Sequence, residues 1–280
     1  MSSKRTVIKN LCWAFAIVIC LLALVVGFII SSVNRYSGES FSGTADIKSE
    51  SAEENEDIIE LAPGDGSGTA RLKLLPETKD AGQEYIDSLT FLCDSSFIGV
   101  RDYGLLSGGT GTYQVWGTET GSFKVSDLSS GNIKYPADGS SITVADAAMI
   151  AKPPILVICV GQDGLKDVNE ATFKTCYSAL IQSIQASSPE TTIICCGITS
   201  VVSNYTGVDG LTPVMISDAN DWIMDVCSMM NIYYSESAKA VGDGTGSVLS
   251  SYLSSNGKTL NSGGINEILT YLRTHAVGVE

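Results

Sequence analysis

The chain has 280 residues, 44% of them hydrophobic and 17% charged, a globular composition with room for one ordinary domain or two small ones. Its 17 Lys+Arg against 31 Asp+Glu give a net charge of −14, which repels phosphate backbones; with no Lys/Arg cluster to offset it, this argues against nucleic acid as a partner. One histidine, His275, excludes any multi-histidine metal site.

The charge is divided along the chain: +4 over residues 1–35, −7 over 36–80 and −11 over 81–280. From Leu11 to Ile30 there is no charged residue, and as a helix this stretch would be about 30 Å long, the thickness of a bilayer core. It reads as a transmembrane anchor (11–30) behind a short cytoplasmic tip (1–10). Lys4, Arg5 and Lys9 precede it and only Arg35 follows closely, so the positive-inside bias keeps the N-terminus cytoplasmic and the remainder extracytoplasmic. The apolar stretch exceeds a signal-peptide core and no A-x-A site follows, which favours an uncleaved anchor over a cleaved leader. Residues 31–80 are rich in Ser, Gly and Glu, with an acidic run at Glu53, Glu54, Glu56 and Asp57, and read as a flexible acidic stalk.

Residues 81–280 alternate short apolar runs with helical periods. Strands are expected at Leu89–Cys93, Tyr113–Trp116, Ile155–Val160, Thr192–Ile198 and Ile232–Tyr234. Helices are expected at Val144–Ala151, Asn169–Ser188, Ile216–Met230 and Ile265–Thr274. Such alternation implies right-handed crossovers between parallel strands. The expected fold class is α/β, a three-layer α/β/α sandwich on a five-stranded parallel sheet of flavodoxin-like type. Cys93, Cys159, Cys176, Cys195, Cys196 and Cys227 lie in or beside apolar segments without C-x-x-C spacing and read as buried small hydrophobes. The glycine runs at 108–111 and 242–246 lack a following Lys-Ser/Thr and read as turns, so no cofactor is expected.

In an open parallel sheet, ligands bind beyond the carboxyl ends of the strands. Three segments there carry polar chemistry: Cys93-Asp94-Ser95-Ser96 after the first strand, Gly161-Gln162-Asp163-Gly164 after the third, and Asn256-Gly257-Lys258-Thr259-Leu260-Asn261 before the last helix. The first resembles the Phe-Ile-Gly-Asp-Ser block of SGNH (GDSL) hydrolases, the second their Gly-x-Asn-Asp block, and the third falls where Asp-Gly-x-His-Leu-Asn is expected. The similarity spans about residues 88–277. It implies a serine ester hydrolase with a Ser-His-Asp constellation and an oxyanion hole built from the serine N–H, a glycine and an asparagine.

Carried over residue by residue, the resemblance gives Ser95 as the nucleophile and Gly117 as the oxyanion-hole glycine. The oxyanion asparagine position holds Asp163, whose carboxylate repels a developing negative charge. The base position holds Thr259 and the orienting aspartate position Asn256, and a threonine hydroxyl accepts no proton near neutral pH. Asp94 is expected to shape the Ser95 turn through local hydrogen bonds. His275, near the end of the last helix, is too far along the chain to replace Thr259. Lys258 is the other conceivable base, but a neighbour of position 259 should point elsewhere. The expectation is a catalytically degenerate, membrane-anchored domain that binds or scaffolds at the cell envelope, with an acylated glycan as one candidate ligand. An active esterase using Ser95 with a non-standard base is the alternative.

Overall fold

The computed structural model describes residues 71–279. The expected cytoplasmic tip, membrane span and most of the stalk lie outside the described residues. Among those described, no helix is long and apolar enough to cross a membrane.

In chain order the elements are β1 (Lys73–Leu74), α1 (Gly82–Ser88), β2 (Leu89–Cys93), α2 (Gly99–Asp102), β3 (Val115–Trp116), β4 (Asn132–Lys134), β5 (Ser141–Thr143), α3 (Val144–Ala151) and β6 (Ile155–Cys159). They continue with α4 (Glu170–Ser187), β7 (Thr192–Cys196), α5 (Pro213–Met230), β8 (Tyr233–Ser235) and α6 (Ser262–Thr274). Six strands form one parallel sheet in the order β1-β8-β7-β6-β2-β3, and β4 and β5 pair as a separate antiparallel hairpin.

The five expected strands are all present, Leu89–Cys93 with the expected bounds, the last shifted by one residue to Tyr233–Ser235 and the other three shortened, and the sheet is six-stranded rather than five-stranded because Lys73–Leu74 pairs with β8 at its edge. The folded region therefore starts before residue 81. Leu75 is buried, and the Thr78 N–H donates to the Thr274 carbonyl, fastening the segment to the end of α6.

The central strands β2, β6 and β7 are buried on both faces, which explains their unbroken apolar runs. Side chains alternate between faces. Leu92, Leu156, Ile158, Ile193 and Cys195 pack with Phe173, Tyr177 and Ile184 of α4 and with Ile216, Ile223 and Val226 of α5. Phe91, Val157, Ile194, Cys159 and Cys196 pack on the opposite face with Tyr85 and Ile86 of α1 and Ile265, Ile268 and Leu272 of α6. Helices on both faces of a parallel sheet give the expected three layers.

Asn169, Thr212 and Asn261 start α4, α5 and α6 by accepting the backbone N–H of Thr172, Met215 and Gly264. From β2 the chain moves to β3 on one side, then returns to β6 on the other, so the strand order reverses at the β2/β6 boundary. That reversal opens a crevice at the carboxyl ends of these two strands, where the two motif loops emerge.

Candidate functional site

Asp94 ties the two loops together. It is fully buried, and one carboxylate oxygen, Oδ2, accepts the backbone N–H of Gly161 and Gln162 at 2.9 Å each and of Asp163 at 3.3 Å. Its Oδ1 accepts the Ser96 N–H at 2.9 Å and the Ser96 hydroxyl at 2.5 Å, which shapes the turn that presents Ser95. Burial raises the Asp94 pKa and the nearby Asp163 charge adds to this, while the bonds from Ser96 and Gln162 pull the other way. Gly161 sits at φ 133°, and a Cβ there would lie 2.8 Å from Ile198 Cδ1, so this loop needs glycine.

Asp163 is the centre of the site. Its side chain is 7% exposed. Oδ1 accepts the Ser95 hydroxyl at 2.5 Å, and Oδ2 accepts the backbone N–H of Ser95 at 3.1 Å and of Phe123 at 3.0 Å. The N–H that the resemblance assigns to an oxyanion therefore already holds a carboxylate of the same chain. Hydrogen bonds to a charged acceptor stabilise by roughly 1.5–3 kcal/mol each.

Lys258 also reaches this carboxylate, contrary to the expectation that it points away. Its Nζ lies 3.0 Å from Asp209 Oδ2 and 3.5 Å from Asp163 Oδ1. Asp209 Oδ2 additionally accepts the Tyr205 hydroxyl at 3.2 Å. Burial pulls the Lys258 pKa down, but the hydrogen bond to Asp209 and the charge of Asp163 outweigh it and hold the ammonium above its ordinary value. For Asp209, burial raises the pKa, and the bonds from Lys258 and Tyr205 bring it below the usual carboxylate range. Lys258 is thus a charged partner and no neutral base for Ser95.

Asn256 and Thr259 are engaged with each other. Asn256 Oδ1 accepts the N–H of Lys258 and of Thr259 at 3.0 Å, and Asn256 Nδ2 donates to Thr259 Oγ1 at 3.0 Å. This closed turn, with Gly257 at φ 67°, rotates Lys258 rather than Thr259 toward Asp163. Gly117 lies beside the end of β2, where a Cβ would come 2.7 Å from Ile98 Cδ1 and 3.5 Å from the Cys93 carbonyl. His275 follows the last residue of α6, near the helix end as expected, its ring stacked on Tyr271 with centroids 3.7 Å apart and its Nδ1 2.9 Å from the Tyr271 carbonyl.

Tyr205, Asp209 and the Phe123 N–H escaped the sequence reading. They lie on long connections whose paths no periodicity fixes. The one available signal was that the loop after β7 also ends at the crevice.

No family model matches the sequence, and no curated protein does. Among solved structures the chain is similar to a protein described provisionally as a platelet activating factor from Streptococcus pneumonia, at 18% identity over 67% of this chain and 82% of that one, with a TM-score of 0.49. It is also similar to a carbohydrate esterase family 3 protein from Talaromyces cellulolyticus, at 13% identity over 72% and 95% of the two chains, TM-score 0.41. A third is Axe2, an acetylxylan esterase from Geobacillus stearothermophilus, at 13% identity over 69% and 94%, TM-score 0.41. The described residues form a three-layer α/β/α domain on a parallel sheet, in which the Asp-Ser and Gly-x-Asp blocks fall at the ends of β2 and β6, where the SGNH/GDSL resemblance expects them.

Proposed function

We propose that the chain is a membrane-anchored, extracytoplasmic SGNH-type domain that has exchanged ester hydrolysis for binding or scaffolding at the cell envelope. The observation that carries this reading is the Asp163 carboxylate seated on the Ser95 N–H and hydroxyl. A tetrahedral intermediate at Ser95 would form against that negative charge and without the serine N–H. Neither the residue at the expected base position nor its neighbour replaces the histidine: Thr259 is locked to Asn256 and Lys258 is held charged.

One observation favours the alternative of an esterase acting on acylated envelope glycans. The 2.5 Å bond from the Ser95 hydroxyl to Asp163 gives the serine a direct proton acceptor. The same carboxylate occupies the anion cradle, so proton acceptance and oxyanion binding compete for one place.

The test is hydrolysis of p-nitrophenyl acetate and of acetylated xylo-oligosaccharides by the purified chain beside its Ser95→Ala variant. The proposal expects identical background rates. Turnover that the substitution abolishes would establish the esterase.

A further inference from the structure

At the carboxyl edge of the sheet three cysteines stand in a row. The strand register sets Cys93 of β2 opposite Cys159 of β6, and continuing the β6–β7 register past Ile158 and Cys195 sets Cys159 beside Cys196 of β7, which in turn faces Ser235 of β8. All three cysteines belong to the core face covered by α1 and α6. Among the described residues no group of three or more ligating side chains is placed to hold a metal ion, and the six described cysteines are free thiols in this structure.

Two of the three are set apart. Cys159 donates its S–H to Cys196, whereas burial and the Asp94 charge hold the Cys93 thiol well above its ordinary pKa. The bond from Cys159 lowers the Cys196 pKa; burial opposes it, and the buried hydroxyls of Ser237 and Ser235, which find no other partner, bring the thiol below its ordinary value. Neighbouring strands lie about 4.7–4.9 Å apart, inside the roughly 4.4–6.8 Å Cα separation of disulfides. Cys159 and Cys196 are the last residues of β6 and β7, so the closer Cβ approach that a disulfide requires is met by movement at strand ends rather than in mid-sheet. A cavity of about 10 Å³, lined by both cysteines with Ser96 and Ser237, leaves the sulfurs room to turn but admits no more than one water. With the two residues 8% and 3% exposed, an oxidant reaches them only before the fold closes or when it opens locally.

We infer that Cys159 and Cys196 are a redox pair that closes to a disulfide in an oxidising compartment and clasps the ends of β6 and β7. The inference rests on the extracytoplasmic placement proposed above for the compartment, and on the strand geometry for the chemistry. While the strand ends are open, the Cys196 thiolate attacks one sulfur of a small-molecule or protein disulfide, whose S–S bond breaks and releases one thiolate. Cys159, giving up its proton, then attacks Cys196 and displaces the second thiolate. The pair loses two electrons and two protons, and the oxidant leaves as two thiols. The clasp stands two residues before Gly161, at the start of the loop that carries Asp163, and the Cys159 carbonyl accepts the Asp94 N–H at 3.2 Å. Closing it fixes the strand end from which both motif loops are held.

The full-length chain in detergent is reduced, held in urea just below its unfolding midpoint and equilibrated with glutathione and glutathione disulfide. It is then quenched with N-ethylmaleimide in denaturant and mapped by peptide mass. Cys159 and Cys196 are expected as one linked pair, two hydrogens lighter, with maleimide on Cys93, Cys176, Cys195 and Cys227. Dithiothreitol should lower the urea midpoint of the oxidised wild type and leave that of Cys159→Ala and of Cys196→Ala where it was. Cys195→Ala, which removes a buried thiol from the other face, should keep both the link and the response to reductant. Maleimide on both Cys159 and Cys196, a link between Cys195 and Cys227 or between Cys93 and Cys159 in its place, or a wild-type midpoint indifferent to dithiothreitol would each overturn the inference. The same mapping on chain quenched in intact cells reads the compartment separately: a pair that links in the glutathione buffer but is reduced in cells upholds the redox pair and removes the extracytoplasmic reading. None of these outcomes bears on whether Ser95 hydrolyses esters, which the ester assay reads separately.

Discussion

At the scale of single residues, the outcome turns on two charges. Asp163 stands where the resemblance calls for a neutral donor, and Lys258 holds it there together with Asp209. Replacing Lys258 with Met leaves two carboxylates at the site without their cation. Because Asp209 is one-third exposed and partly screened, the expected loss is about 1–3 kcal/mol, read as a lower urea midpoint.

The pH dependence has a definite sign. The folded Lys258 pKa is raised, so its contribution to stability is complete below the unfolded value near 10.5 and is lost as pH rises through the higher folded value. The stability difference between wild type and Lys258→Met should therefore shrink above about pH 10.5. A difference that stays constant through alkaline pH would show that Lys258 acts only by packing. At the acid end, Asp209 is depressed, so its share is present above the unfolded value near 3.8 and is lost as pH falls through the lower folded value.

At the scale of elements, the loops at the ends of β2 and β6 are held by backbone demands as much as by side chains. Gly161→Ala would place a Cβ against Ile198 in a backbone region that alanine resists, at an expected cost of about 1–3 kcal/mol in denaturant unfolding. Asn261→Ala removes the α6 cap together with side-chain bonds to the Ser251 and Leu253 carbonyls, and should cost about 1–2 kcal/mol. An unchanged midpoint in either variant would contradict the corresponding role.

What the sequence made legible follows from the same physics. β6 and β7 are buried on both faces and so announce themselves as unbroken apolar runs. β1 is only two residues long and pairs with the β8 edge; Leu74 and Leu75 mark a segment able to form local structure or dock on the domain, but two residues are too few to specify a strand. The β4–β5 hairpin and α1 were missed for related reasons: three-residue strands carry too little alternation, and α1 begins at a glycine without a side-chain cap. Ser95, Asp94 and Asp163 could be read because motif and strand end coincide. The direction of Lys258 could not, since it depends on how the Asn256–Thr259 turn closes.

At the scale of the whole molecule, the proposed anchor and acidic stalk would carry this acidic domain outside the membrane, where it is presented to the cell envelope. The chain should resist extraction from membranes by alkaline carbonate, and protease added to intact cells should digest the domain while sparing a short membrane-protected fragment. Release by carbonate, or protection of the domain, would remove the anchored, extracytoplasmic reading. Ser95 stands where the resemblance places a nucleophile, and the central claim of the proposal is that it is chemically silent, because Asp163 holds both the serine hydroxyl and its N–H. The most direct measurement is intact-mass analysis of the purified chain after prolonged exposure to an alkyl fluorophosphonate, which reports on the serine without any assumption about substrate. The account predicts an unmodified mass; an adduct on Ser95 that disappears in Ser95→Ala would contradict it.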